Sequence, residues 1–81
     1  MYIITHIDNN YKYPKMGKIL IDETGIWTNA VQTAVELVMS LDEEADESKV
    51  REELLNDGDY PSRNANGSLT GEWTVSVSMS D

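Results

Sequence analysis

Residues 73–80 read WTVSVSMS, and this stretch decides the fold. Its apolar side chains, Trp73, Val75, Val77 and Met79, alternate with threonine and serine. Because successive side chains of a β-strand point to opposite faces of a sheet, the alternation predicts a strand with one buried and one solvated face. The buried face needs a covering layer, which the rest of the chain must supply.

The covering layer is predicted between residues 27 and 41. Apolar side chains recur there at steps of three and four residues, which is the spacing of an amphipathic helix. Thr28 is the predicted N-cap, since a side-chain oxygen there can accept a hydrogen bond from a free backbone N–H of the first turn. The apolar stripe consists of Trp27, Val31, Ala34, Val38 and Leu41, with Ala30 and Leu37 beside it.

Two further strands are predicted before this helix. Residues 2–7 alternate and are rich in β-branched and aromatic side chains, and residues 18–22 place Ile19 and Ile21 on one face. We expect the two strands to pair as an antiparallel hairpin. Its connecting loop carries tyrosines and lysines, namely Tyr11, Lys12, Tyr13 and Lys15.

A second, shorter helix is predicted after the first. It begins at Asp46 or Ser48, either of which can cap it, and ends near Asn56. Gly58 suits the position after its end, because glycine adopts the left-handed conformation at the least cost.

Residues 61–71 are polar and contain the tight-turn dipeptide Asn66-Gly67. This composition predicts an exposed loop or the tip of a hairpin that pairs Tyr60 with residues near Leu69.

Together these elements predict an α+β fold. The sheet is small and antiparallel, with three or four strands in the order ββααβ and with one long and one short helix on one face. The 81 residues are near the low end for one independent core, so a single compact domain over residues 1–81 is expected. The sequence leaves open whether the protein is a monomer or a homodimer.

The composition excludes several classes of protein. The chain has no cysteine, which removes disulfides, thiolate zinc sites and thiol nucleophiles. The first eight residues lack the basic and apolar regions of a signal peptide, and no stretch approaches the ~20 apolar residues of a membrane span. We therefore expect a cytoplasmic protein with no membrane partner.

No catalytic or metal-binding pattern is visible. His6 is the only histidine, and the sequence offers it no orienting partner for acid–base work. Residues 57–59 with Glu52 and Glu53 could hold a hard cation, but the EF-hand spacing is absent and a helix C-cap with acidic neighbours explains the same residues. There is no nucleophile elbow, phosphate-binding glycine loop or metalloprotease helix. We predict no catalytic residue, no metal, no cofactor and no enzymatic activity.

The charge of the chain is −9, and it is concentrated in the middle. Residues 28–61 carry two basic and ten acidic side chains, a net charge of −8, whereas residues 1–27 carry three of each and are neutral. Crowded carboxylates repel one another and favour a cationic partner. The predicted partner-binding residues are Asp42, Glu43, Glu44, Asp46, Glu47, Glu52, Glu53, Asp57 and Asp59.

Two alternatives to this interpretation stay open. The acidic run is equally typical of a solvated surface that keeps a protein in solution. Tyr11 and Tyr13 could form a second partner-binding surface, because tyrosine offers rigid contact area at low entropic cost. In that case the chain would be an intracellular adaptor or an antitoxin-like module that binds through the loop from Tyr11 to Lys15.

In size, acidity, lack of cysteine and hairpin-plus-helix plan, the chain resembles the small inhibitor proteins that phages make against host machinery, notably anti-CRISPR proteins and other DNA mimics. The resemblance covers the whole chain as a type, and no motif carries it. It implies a non-enzymatic inhibitor in the host cytoplasm that blocks a basic nucleic-acid-binding site, such as that of a CRISPR effector, with residues 42–59. It implies no direct contact with nucleic acid. The neutral residues 1–27 depart from the pattern and confine any mimicry to one side.

Overall fold

The computed structural model describes residues 1–9 and 15–80. The described part confirms the predicted α+β fold, with one strand more than the minimal prediction. The elements follow one another in the order ββααββ. Their bounds are β1 Tyr2–Asp8, β2 Lys15–Asp22, α1 Trp27–Leu41, α2 Glu47–Asp57, β3 Asp59–Arg63 and β4 Leu69–Met79.

The four strands form one antiparallel sheet in the order β2-β1-β4-β3. The predicted hairpin of β1 and β2 is confirmed, and Ile4 lies opposite Leu20 within it. On its other side β1 pairs with β4, where Ile4 lies opposite Val77. β2 and β3 are therefore the two edge strands.

Both helices cover the same face of this sheet. The covered face presents Ile4, Val75 and Val77, and the buried side chains of both helices complete one core cluster with them. The opposite face, which we call the open face, is covered by no described element. It presents the partly buried Ile3 together with Ile19 and Ile21, which are 55% and 58% exposed.

The apolar stripe of α1 is confirmed from Ala30 to Val38, where Val35 is also buried, but Leu41 is 37% exposed and the predicted N-cap is wrong. Six residues of the helix are buried. Its first backbone hydrogen bonds run from Asn29 and Ala30 to the carbonyl oxygen of Ile26, so Ile26 is the N-cap and has no capping side chain. Thr28 cannot cap the helix because it already lies inside the first turn.

α2 has the predicted cap and ends one residue later than predicted. Oδ1 of Asp46 accepts hydrogen bonds from the backbone N–H groups of Ser48 and Lys49 at 3.0 and 3.4 Å. Of the two proposed caps, Asp46 is therefore correct and Ser48 is not. Gly58 ends the helix in the left-handed region at φ 78°, as expected for glycine.

The hairpin at residues 61–71 is confirmed, with a different register. Tyr60 lies opposite Val75, and it is Arg63 that pairs with Leu69. Met79 was predicted to be buried, but it is 69% exposed because it lies at the end of the sheet, opposite Tyr2. Among the described residues no helix is long and apolar enough to cross a membrane.

Candidate functional site

A cleft of about 1040 Å³ separates α2 from the β3–β4 hairpin. One wall is the end of α1, the loop that follows it and the first half of α2. The other wall is β3, the turn of the hairpin and the facing part of β4. Because two elements remote in sequence form the walls, the cleft exists only in the folded protein. We call it the acidic cleft.

Among the described residues, the acidic cleft is lined by six carboxylates and two cations. Its only lining cations are Lys49 and Arg63, so the net formal charge of the described lining is −4. Charges facing one another across a partly enclosed space are screened less by water than charges on a convex surface. The lining carboxylates are Asp42, Glu44, Asp46, Glu52, Glu53 and Glu72.

The sequence of α2 explains how one wall becomes acidic. Val50 and Leu54 are fully buried and attach the helix to the core. Asp46, Lys49 and Glu53 recur at steps of three and four, so they share the face that looks into the cleft. The buried pair therefore fixes the direction in which the charged residues point.

Arg63 connects the two walls. Its Nη2 lies 2.6 Å from Oε1 of Glu53, and its Nη1 donates to the carbonyl oxygen of Gly67 at 3.1 Å. Its guanidinium carbon lies 5.8 Å from the centre of the Tyr60 ring. Glu53 is thereby neutralised by a pair that is about one-third exposed on each side, whereas the other lining carboxylates form no salt bridge with described residues.

Two aromatic rings form the floor. The ring of Tyr60 is only 6% exposed and lies 6.2 Å from that of Trp73. Burial raises the pKa of the Tyr60 phenol above its ordinary 10.0, the carboxylates of Glu53 and Asp42 raise it further, and Arg63 lowers it. The phenol therefore stays protonated at neutral pH and adds no charge to the cleft.

Ser62 positions the last lining carboxylate. The β3–β4 register shifts between Pro61 and Arg63, which leaves backbone donors of β4 without ladder partners. Oγ of the buried Ser62 accepts from the N–H groups of Glu72 and Trp73 at 3.1 and 3.2 Å. This bulge aims Glu72 into the cleft, a role the sequence analysis missed because Glu72 stands just before the alternating run.

The predicted acidic surface is thus assembled in part. Five of the nine predicted residues line the cleft. Glu47 lies outside it and pairs with Arg51 at 3.6 Å, and Arg51 also donates to Gln32 of α1. The three remaining residues, Glu43, Asp57 and Asp59, are exposed but do not line the cleft.

The other predicted candidates lie elsewhere. Tyr11 and Tyr13 fall outside the described residues. His6 packs edge-on against Trp73 at 6.2 Å, and a Cβ on Gly17 would come 2.5 Å from its Nδ1, so a bulge of β2 closes around the imidazole. In the described part of the chain no group of three or more histidine and acidic side chains is placed to hold a metal ion.

Comparisons of the chain with protein-family models, with curated proteins and with solved structures gave no match.

Proposed function

We propose that the protein is a non-enzymatic inhibitor that binds a basic, nucleic-acid-binding site on another protein through the acidic cleft. The observation that carries the proposal is the net charge of −4 on the described lining of one cleft. A protein of host defence or nucleic-acid processing, such as a CRISPR effector, has a site of the required charge.

The chemistry of the cleft favours lysine and arginine side chains as ligands. Carboxylates bind guanidinium and ammonium groups through charge-assisted hydrogen bonds, and the partly exposed Trp73 adds an aromatic surface on which a guanidinium can stack. Duplex DNA shows about one phosphate per ~1.7 Å of its axis, and several carboxylates along α2 and its flanking loop offer a comparable density of negative charge. A basic groove that binds phosphates can therefore accept this surface.

The test is a competition assay on purified basic DNA-binding proteins, including a CRISPR effector, each carrying a labelled duplex. We expect the chain to displace the duplex from at least one of them, and the displacement to weaken steeply between about 50 and about 500 mM salt. Displacement that persists unchanged at high salt would contradict charge-driven binding and would favour the tyrosine loop from Tyr11 to Lys15.

A matched pair of triple variants locates the binding surface. The cleft variant Asp42→Asn, Glu44→Gln, Glu52→Gln removes three lining charges, and neither the α2 cap nor the Arg63 pair is touched. The control Glu36→Gln, Asp57→Asn, Asp59→Asn removes three exposed charges that do not line the cleft. Both variants have the same net charge. We expect only the cleft variant to lose the ability to displace the duplex. Equal losses in the two variants would show that net charge, and not the cleft, determines binding.

A further inference from the structure

The edge strand β2 lies outside the acidic cleft and has exposed apolar side chains. On its outer side, residues 18–22 have no strand partner within the described part of the chain. On the open face its side chains Met16, Ile19 and Ile21 are between 51% and 58% exposed. An exposed apolar edge strand is a template for pairing with another strand.

The residues of β2 are complementary to a second copy of themselves. If two β2 strands pair antiparallel about a two-fold axis at Leu20, Ile19 lies opposite Ile21 of the second copy. In the same register Lys18 lies opposite Asp22. Directly opposed residues must share a face of the sheet, and these pairs do. Ile19 and Ile21 are on the open face, while Lys18 and Asp22 are on the covered face with Leu20.

The charged pair of this register has one exposed member, Lys18, and one mostly buried member, Asp22. Lys18 is exposed and forms no salt bridge with a described residue. Asp22 is only 8% exposed, and its Oδ1 accepts two hydrogen bonds from Thr24. Its Oδ2 accepts none from the described residues and is not fully enclosed, so Oδ2 is the atom left for Lys18 of the second copy. A two-fold arrangement makes the Lys18–Asp22 contact twice, and opposite charges directly across two strands stabilise their pairing.

The distribution of charge selects the same edge. Two chains of charge −9 repel each other, and the acidic cleft lies along β3, at the far edge of the sheet from β2. Residues 1–27, which include β2, are neutral. β3 is also a poor template, because Pro61 lacks a backbone donor and the strand is bulged. Two copies can therefore approach most closely through β2.

We propose that two copies of this chain form a dimer by antiparallel pairing of their β2 strands about Leu20, which joins their sheets edge to edge. The occupant of the open edge is thus a second copy of the chain. The dimer carries its two acidic clefts at opposite ends. Its formation does not depend on what the clefts bind.

The first experiment is sedimentation equilibrium of the full chain from about 1 to about 300 µM, which brackets the affinity of a small interface. We expect a concentration-dependent dimer. Lys18→Glu places like charges opposite each other twice and should weaken the dimer about tenfold. Lys49→Glu makes the same change of charge on α2 and should weaken it far less. A monomer throughout the range, or equal effects of the two variants, would overturn the proposal.

The second experiment uses the symmetry of the contact. Lys18→Glu and Asp22→Lys each create repulsion in their own homodimers, but a mixture of the two restores both attractive pairs. We expect each variant, once circular dichroism shows it to be folded, to be more monomeric alone than in the mixture. Ser76→Arg on the open face tests face-to-face packing instead. If that substitution separates the dimer while the charge mixture does not restore it, the edge contact is wrong.

Discussion

The two edges of the sheet differ in almost every property that governs association. β2 has eight residues, exposed isoleucines and a net charge of +1. β3 has five residues, a proline and a bulge, and it borders a cleft whose described lining carries a net charge of −4. Negative charge and exposed apolar surface are therefore segregated to opposite edges of one small sheet. Each end is therefore suited to a different kind of contact.

The wall of the acidic cleft that α2 forms is attached to the core by few buried side chains. α2 buries only Val50 and Leu54, whereas α1 buries six residues. We therefore expect α2 and the acidic cleft that it lines to unfold more easily than α1.

The largest effect is expected from Leu54→Ala. Leu54 is fully buried, so the truncation removes apolar contact and leaves a cavity, which should lower the free energy of unfolding by about 3 kcal/mol. The neighbouring Leu55 is 39% exposed, and Leu55→Ala is the matched control with an expected loss below about 1 kcal/mol. Urea unfolding followed by tryptophan fluorescence measures both, and similar losses would mean that α2 is not anchored through Leu54.

Asp46→Ala should lower the stability by about 1 kcal/mol, because two backbone N–H groups of α2 lose their acceptor. Asp46→Asn removes the same charge and keeps the cap, so it should leave stability nearly unchanged. The comparison separates capping from relief of repulsion at the acidic edge. A variant with asparagine that is as unstable as the one with alanine would show that the charge, not the cap, matters here.

The Glu53–Arg63 pair should have a coupling energy of about 0.5 to 1 kcal/mol in a double-mutant cycle built from Glu53→Gln and Arg63→Gln. The two atoms are 2.6 Å apart and the side chains are about one-third exposed. The looser Glu47–Arg51 pair, at 3.6 Å and more exposed, is the control and should couple by at most about 0.5 kcal/mol. Equal coupling in the two cycles would remove the special role of the pair that spans the cleft.

The smallest effect is confined to alkaline pH. Because the pKa of Tyr60 is raised above 10.0 in the folded protein, the unfolded chain loses this proton first as the pH rises. The contribution of Tyr60 to stability is therefore complete below pH 10 and declines as the pH passes from 10 towards the raised value. Urea midpoints of Tyr60→Phe should fall less steeply than those of the unchanged chain in this window, and parallel curves would contradict the shift.

Much of the fold followed from periodicity, but the site did not. The stripe of α1 and the alternation of Val75 and Val77 are local patterns, and most of the side chains that they assign to the core are buried. Thr28 was misjudged because the helix begins one residue before it. Glu72 reaches the cleft through the bulge held by Ser62, a contact between two strands that no single segment reveals. Glu47 pairs with Arg51 four residues later in the same helix, a spacing that the sequence does contain.

The pairing of β1 with β4 limits when the sheet can form during synthesis of the chain. This central ladder joins residues that lie between 65 positions (Asp8 and Trp73) and 77 positions (Tyr2 and Met79) apart in the sequence. The ribosome must therefore synthesise and release β4 before β1 and β4 can pair in the middle of the sheet. Until then, Ile4 and the buried residues of α1 lack Val75 and Val77, and their part of the core stays incomplete and exposed to water.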